Sequence, residues 1–188
     1  MPRKGLSMDD ILEKAVKLVE EKGIEKFSLR ELAARLEVKP ASLYNHVTNV
    51  EEITNAVGHV ALSTLSEKLH SIQTDAGYDK RLLMIADAYR EYALNNPELY
   101  KTIVRMPSYE DESLKEEGHS IMNELYCSLD EFPLNHTEKI HFGRSYRSAM
   151  HGFVSLEMNG YFKNEPDVKE SYHFLMEQMI KALQIKEA

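Results

Sequence analysis

The chain has little of what would staple or anchor it. Among 188 residues there is one cysteine, Cys127. That excludes a disulfide framework within one chain and a cysteine-rich zinc site. It also fits a reducing compartment, and the expected location is cytoplasmic. Six prolines and eight glycines are few, so long disordered or collagen-like stretches are not expected. No run nears the ~18 apolar residues of a membrane span, and the N-terminus lacks the apolar core of a secretory signal. Basic residues are outnumbered too, 23 Lys and Arg against 31 Asp and Glu, for a net charge of −8. Such a protein is not coated in basic surface.

The charge is unevenly placed. Residues 1–47 hold nine basic residues, among them Arg30, Arg35 and Lys39, against eight acidic ones, which leaves −9 on the remainder. An acidic body repels phosphate, so any contact with nucleic acid must run through the head. Apolar residues make up 43% and charged residues 29%, ordinary for a globular protein. The length allows one or two domains at roughly 100–200 residues each.

What is present reads as helix throughout, with no run of alternating polar and apolar residues. Ser7-Met8-Asp9-Asp10 caps a first helix carrying Ile11, Ala15, Leu18 and Val19 at helical spacing, and Gly23 ends it. Ser28-Leu29-Arg30-Glu31 repeats the capping-box pattern. Pro40 opens a short third helix at the position where a missing N–H costs nothing. Asn49 caps a fourth helix reaching about Ile72. A fifth covers 79–95, and Asn96-Pro97 starts a sixth that Met106-Pro107-Ser108 breaks. A seventh covers about 111–130. Asn135 caps an eighth running to Phe162, and Asp167 caps a ninth. The expected fold is all-α: about nine helices, with a three-helix head over 1–48 and a larger helical domain over 49–188.

The stretch from Phe27 to Ile53 is the informative one. Two short helices joined by Glu37-Val38-Lys39, apolar at Leu32, Ala33, Leu36, Val38 and Leu43, make a helix-turn-helix. Its second helix exposes Lys39, Ala41, Ser42, Tyr44, Asn45 and His46. These are short hydrogen-bonding groups and an aromatic ring, suited to a groove lined with base edges and phosphates. Spacing alone leaves an ordinary helical hairpin with a solvated polar face as an equal alternative.

The ordered series Ala15, Leu18, Gly23, Phe27-Ser28, Arg30-Glu31-Leu32-Ala33, Val38, Leu43-Tyr44-Asn45-His46-Val47 and Glu52-Ile53 resembles the DNA-binding head of the tetracycline-repressor (TetR) family of bacterial transcriptional regulators. Two positions depart from it. The family usually opens helix four with a phosphate-gripping Lys, where this chain has Val50. It usually caps the recognition helix with Ser or Thr, where this chain has Lys39. The body is similar to one C-terminal subgroup of that family at His151-Gly152-Phe153, Leu156-Glu157 and Gly160, although Arg147 stands where relatives often carry Trp. Residues 75–135 match nothing specific.

The resemblance implies a homodimer that binds a palindromic operator, usually represses, and is released by a small molecule held in the body. It implies a DNA-binding set of Ser28, Arg30, Lys39, Pro40, Ala41, Ser42, Tyr44, Asn45, His46 and Thr48. A ligand pocket among helices four to eight is expected to use Met84, Tyr89, Tyr92, Met106, Phe142, Tyr146, Met150 and His151, because methionine and tyrosine line adaptable apolar sites; core packing is the other use of each. The last two helices are the expected dimer face, through Phe153, Val154, Phe174, Leu175, Met179 and Ile180, shared in unknown proportion with the monomer's core. No cofactor is expected. An enzyme is disfavoured, because no H-E-x-x-H, Gly-rich phosphate loop or G-x-S-x-G occurs. A metal site is disfavoured because His136 and His141 point to different helix faces.

Overall fold

A computed structural model describes residues 6–72, 75, 77–105 and 111–184. Among them run nine α-helices and no strand: α1 (Met8–Lys22), α2 (Leu29–Arg35), α3 (Pro40–Leu43), α4 (Val50–His70), α5 (Tyr78–Asn95), α6 (Pro97–Arg105), α7 (Glu112–Ser128), α8 (His136–Met158) and α9 (Val168–Gln184). The all-α expectation holds. The expected break at Met106-Pro107-Ser108 lies outside the described residues.

The helix starts follow the sequence signals. At α1 the Ser7 hydroxyl accepts from the Asp10 N–H (3.2 Å) while the Asp10 carboxylate accepts from the Ser7 N–H (3.3 Å). At α8 Asn135 and Glu138 exchange the same pair of bonds at 3.0 and 2.9 Å. The second capping box is only half formed. Ser28 accepts from the Glu31 N–H, but the Glu31 carboxylate turns to Lys22 instead. An ammonium within reach outcompetes a backbone amide for a carboxylate.

The helix ends are less regular than expected. α8 stops at Met158 rather than Phe162. Gly160 sits at φ +72°, its N–H donating to the Glu157 carbonyl (2.9 Å) and that of Tyr161 to Leu156 (3.1 Å). This pair of bonds closes a helix through one left-handed residue. The same closure ends α2. There the left-handed residue is Glu37, at φ +55°, with Glu37 N–H donating to Ala34 (3.2 Å) and Val38 N–H to Ala33 (3.0 Å).

The chain forms two compact units. The first takes residues 1–64 and 96–117, the second 65–95 and 118–188. The first unit is built on Ile11, Ala15, Leu18, Leu32, Ala33, Leu43, Ile53, Val57 and Ala61, all fully buried, with Leu99 of α6 packed among them. In the second, α5, α8 and α9 pack on one another. Two buried tyrosines tie them together. Tyr146 of α8 donates its hydroxyl to the Leu82 carbonyl (3.0 Å), and Tyr172 of α9 to that of Ala86 (2.8 Å), both on α5. Burial pushes both phenols up, out of any physiological titration. Tyr146→Phe is expected to cost ~1 kcal/mol of stability in urea unfolding, the net worth of one buried hydrogen bond.

Glu37 carries a left-handed conformation at a position that favours glycine, a strain of ~1–2 kcal/mol for a residue with a Cβ. Glycine relieves it but gains ~0.4–1 kcal/mol of unfolded-chain freedom. The balance predicts that Glu37→Gly raises stability modestly, while Glu37→Val lowers it; chemical denaturation reads both.

Candidate nucleic-acid interface

The second short helix of the motif cannot stand alone. α3 spans Pro40–Leu43, a single turn, far below the ~12–15 residues at which isolated helices become marginally stable. It is held by what it buries. Leu43 is fully buried and Val47 nearly so, both in the core formed by Leu32 and Ala33 of α2 and Ile11, Ala15 and Leu18 of α1. Val38, in the turn, packs against that core. Pro40 opens α3, and Lys39 at its N-cap makes no side-chain capping bond.

With Leu43 and Val47 turned inward, the residues between them face out. Tyr44 is 57% exposed, and Asn45 and His46 are exposed as well. These three follow the helix rather than lie on it. Tyr44 is its C-cap, and the His46 and Val47 N–H groups both donate to the Leu43 carbonyl, at 2.9 and 3.1 Å. Of the other residues in the expected DNA-binding set, Arg30, Lys39, Pro40, Ala41 and Thr48 are exposed, and Ser28 and Ser42 are half-buried. All ten lie on α2, α3, their N-caps and the segment leading to α4. Asn49 caps α4 by accepting from the Glu52 N–H (2.9 Å), and Glu52 reaches back to the Thr48 N–H (2.6 Å).

The head's cations divide into two groups. Lys17 is paired with Glu13 (2.6 Å). Lys22 is paired with Glu31, and Arg35 grips both oxygens of Glu21. The Arg35 hydrogen bonds hold the Glu21 carboxyl below its ordinary range. These last two pairs tie α1 to α2. Arg30 and Lys39 form no ion pair or hydrogen bond among the described residues. Two uncommitted cations are therefore on the same motif as Tyr44, Asn45 and His46, and a third, Lys26, precedes α2. Pairs between residues nine and fourteen apart on separate helices leave no sequence pattern, and sequence reasoning missed them.

The other expected sites are placed as follows. Tyr92, Tyr146 and Met150 are buried in the second unit, Tyr89, Phe142 and His151 are half-buried, and Met84 is 40% exposed. Phe142 stacks on Tyr146 at 5.4 Å. Burial, then the Arg147 charge, lowers the His151 pKa. Met106 lies outside the described residues. Of the expected dimer face, Val154 and Ile180 are buried in the chain's own core. Phe153 is half-buried against Phe162 and Tyr172. Leu175 and Met179 are half-buried, and Phe174 is 67% exposed. Among the described residues no group of three or more His, Cys, Asp or Glu is placed to hold a metal ion, and no helix is long and apolar enough to cross a membrane.

Comparison with known proteins agrees with this geometry. A family model described as "Bacterial regulatory proteins, tetR family" matches residues 11–57, and one described as "Tetracyclin repressor-like, C-terminal domain" matches 82–179. The second match extends through much of the region where the sequence motifs alone found no likeness. An uncharacterized HTH-type transcriptional regulator of Mycobacterium tuberculosis is 30% identical, over 82% of this chain and 72% of that protein. A protein of unknown function from Rhodococcus sp. RHA1 shares the fold, with a TM-score of 0.85 and 19% identity over 97% of this chain and 98% of that one. BioQ, solved with its double-stranded DNA operator, shares it with a TM-score of 0.71 and 19% identity over 95% and 98%.

The inward Leu43 at the end of α3 and the outward Tyr44 that caps it make opposite predictions. Leu43→Ala is expected to destabilise the protein by ~2–5 kcal/mol, as truncations of buried leucines do. Tyr44→Ala is expected to stay within about 0.5 kcal/mol of the parent, as exposed substitutions do. Thermal unfolding of the two variants side by side checks the orientation.

Proposed function

The chain belongs to the tetR family of bacterial regulatory proteins, and on that premise we propose that it is a repressor that binds a palindromic operator as a homodimer. As a family member it is a transcriptional regulator with a DNA-binding helix-turn-helix, not an enzyme. One observation carries the finer reading. Tyr44, Asn45, His46, Arg30 and Lys39 are exposed on the motif, and Arg30 and Lys39 have no carboxylate partner among the described residues. Phosphate oxygens are the partners such cations lack. Side chains at the end of a short helix are what a major groove admits.

A dimer fits because one short helix reads too few base pairs for specificity, and a two-fold pair doubles the site at a fixed spacing. The surface for it is on α8 and α9. Around α9, Phe174, Leu175 and Met179 form an apolar arc beside the buried row of Tyr172, Met176 and Ile180. On α8, Ser145, Ala149 and Gly152 share a face with Leu156, which is 44% exposed. A Cβ added at Gly152 would meet nothing within 4 Å, so this face has room for another helix to approach closely. Release by a small molecule bound in the C-terminal domain completes the proposed cycle, and it requires that the molecule bind one conformation better than the other.

Selection of fragments from a random DNA pool by the full-length protein tests this reading. An inverted-repeat consensus is the expected result. Affinity for it should fall steeply with salt, and Lys39→Ala should flatten that slope by about 0.9 per lost phosphate contact. Tyr44→Ala should weaken binding to the consensus by about 1–3 kcal/mol, the range of a good specific contact. Failure to enrich any sequence, or a salt-independent affinity, would overturn it. Phe174→Glu should yield monomers in sedimentation velocity; an unchanged dimer would move the interface elsewhere.

A further inference from the structure

The connection between α8 and α9 folds over a pocket that lies apart from the expected ligand-binding positions and shares one residue, Phe153, with the expected dimer face. Its volume is about 290 Å³. Phe153, Tyr161 and Phe162 give it aromatic walls, and Lys163, Asn164 and Ser171 supply polar groups. Two of the rings, Phe153 and Phe162, are held by packing on each other and on the core. Phe153 lies 4.7 Å from Phe162 and 5.1 Å from Tyr172, the tyrosine whose hydroxyl is fixed on α5. Tyr161 is nevertheless 73% exposed. The closure of α8 at Gly160 turns Tyr161, Phe162 and Lys163 off the helix, and this is what opens the concavity.

Among the lining residues Lys163 alone is charged. Lys163 forms no ion pair or hydrogen bond among the described residues. Two carboxylates neighbour it in the chain, Glu165 and Asp167, and neither lines the pocket. Glu165 is exposed and forms no ion pair with Lys163. Asp167 is committed to the next helix: it caps α9, its Oδ1 accepting from the Lys169 and Glu170 N–H groups at 2.7 and 3.2 Å. The lining therefore combines π-faces for a flat apolar body with a cation that no carboxylate neutralises. The volume lies just below the ~300–1,000 Å³ of drug-sized sites, which suits a ligand of one or two fused rings.

We propose that this α8–α9 pocket binds a small aromatic carboxylate, its rings against Phe153, Tyr161 and Phe162 and its carboxylate on Lys163. The site is separate from the tyrosine and methionine positions of the expected ligand pocket, and its binding reaction is measurable without DNA. It therefore stands or falls independently of the operator reading.

Calorimetric titration of the full-length protein with 2-naphthoate, and with 2-naphthylmethanol as the uncharged control, tests it. The expected result is saturable 2-naphthoate binding that Lys163→Met weakens by about two- to fivefold, the upper range of an exposed ion pair. The same variant should leave the alcohol nearly unchanged, and Phe162→Ala should weaken both. Sedimentation velocity on the same samples should show one oligomeric state with and without naphthoate. No saturable binding, or binding indifferent to both variants, would overturn the proposal. So would a Phe162→Ala protein that changes oligomeric state while the parent ignores naphthoate, because the pocket would then belong to a second copy of the chain.

Discussion

Leu43 entering the core of the first unit is the contact on which the candidate interface depends. One turn of helix has no stability of its own, and the N-cap of α3 contributes no side-chain bond. What fixes its rotation is that Leu43 and Val47 are buried four residues apart. That spacing leaves Tyr44, Asn45 and His46 no direction but outward. The salt links from α1 to α2 and the closure at Glu37 serve the same end, since they set where α3 begins. Glu37 holds a left-handed conformation with a side chain that disfavours it, and the half-buried Val38 next to it compensates through packing on the core.

Helix starts were legible in the sequence because their chemistry is local. Ser7 with Asp10, Asn135 with Glu138 and Asp167 before α9 each act within a span of three residues. Helix ends were less legible. Gly160 and Glu37 close their helices by the same pair of backbone bonds, yet only one of them is a glycine. The apolar pattern past Gly160 ran on to Phe162 and suggested more helix, whereas Tyr161 and Phe162 in fact line a pocket. The failed half of the capping box at Glu31 had a non-local cause, since Lys22 belongs to another helix.

The interface and the body differ in how far sequence could reach. Exposure on the motif follows from the apolar residues that flank it, so Tyr44, Asn45 and His46 were legible as a polar surface. In the body, tyrosines and methionines serve core and ligand sites alike. Tyr92 and Tyr146 are buried, and the Tyr146 hydroxyl is committed to a backbone carbonyl. On α8 and α9 sequence gave the apolar positions without their partition. The fold directs Val154 and Ile180 inward and leaves Phe174 outside, a distinction that depends on the crossing of helices distant in sequence.

Backbone amide chemical shifts of the full-length protein, followed as a selected operator duplex is added, test the central claim most directly. The account predicts that the largest changes fall on Arg30, Lys39 and residues 41–48, with the buried face of α1 at Ile11, Ala15 and Leu18 little affected. Changes centred outside that motif, with Lys39 and residues 41–48 unmoved, would contradict it.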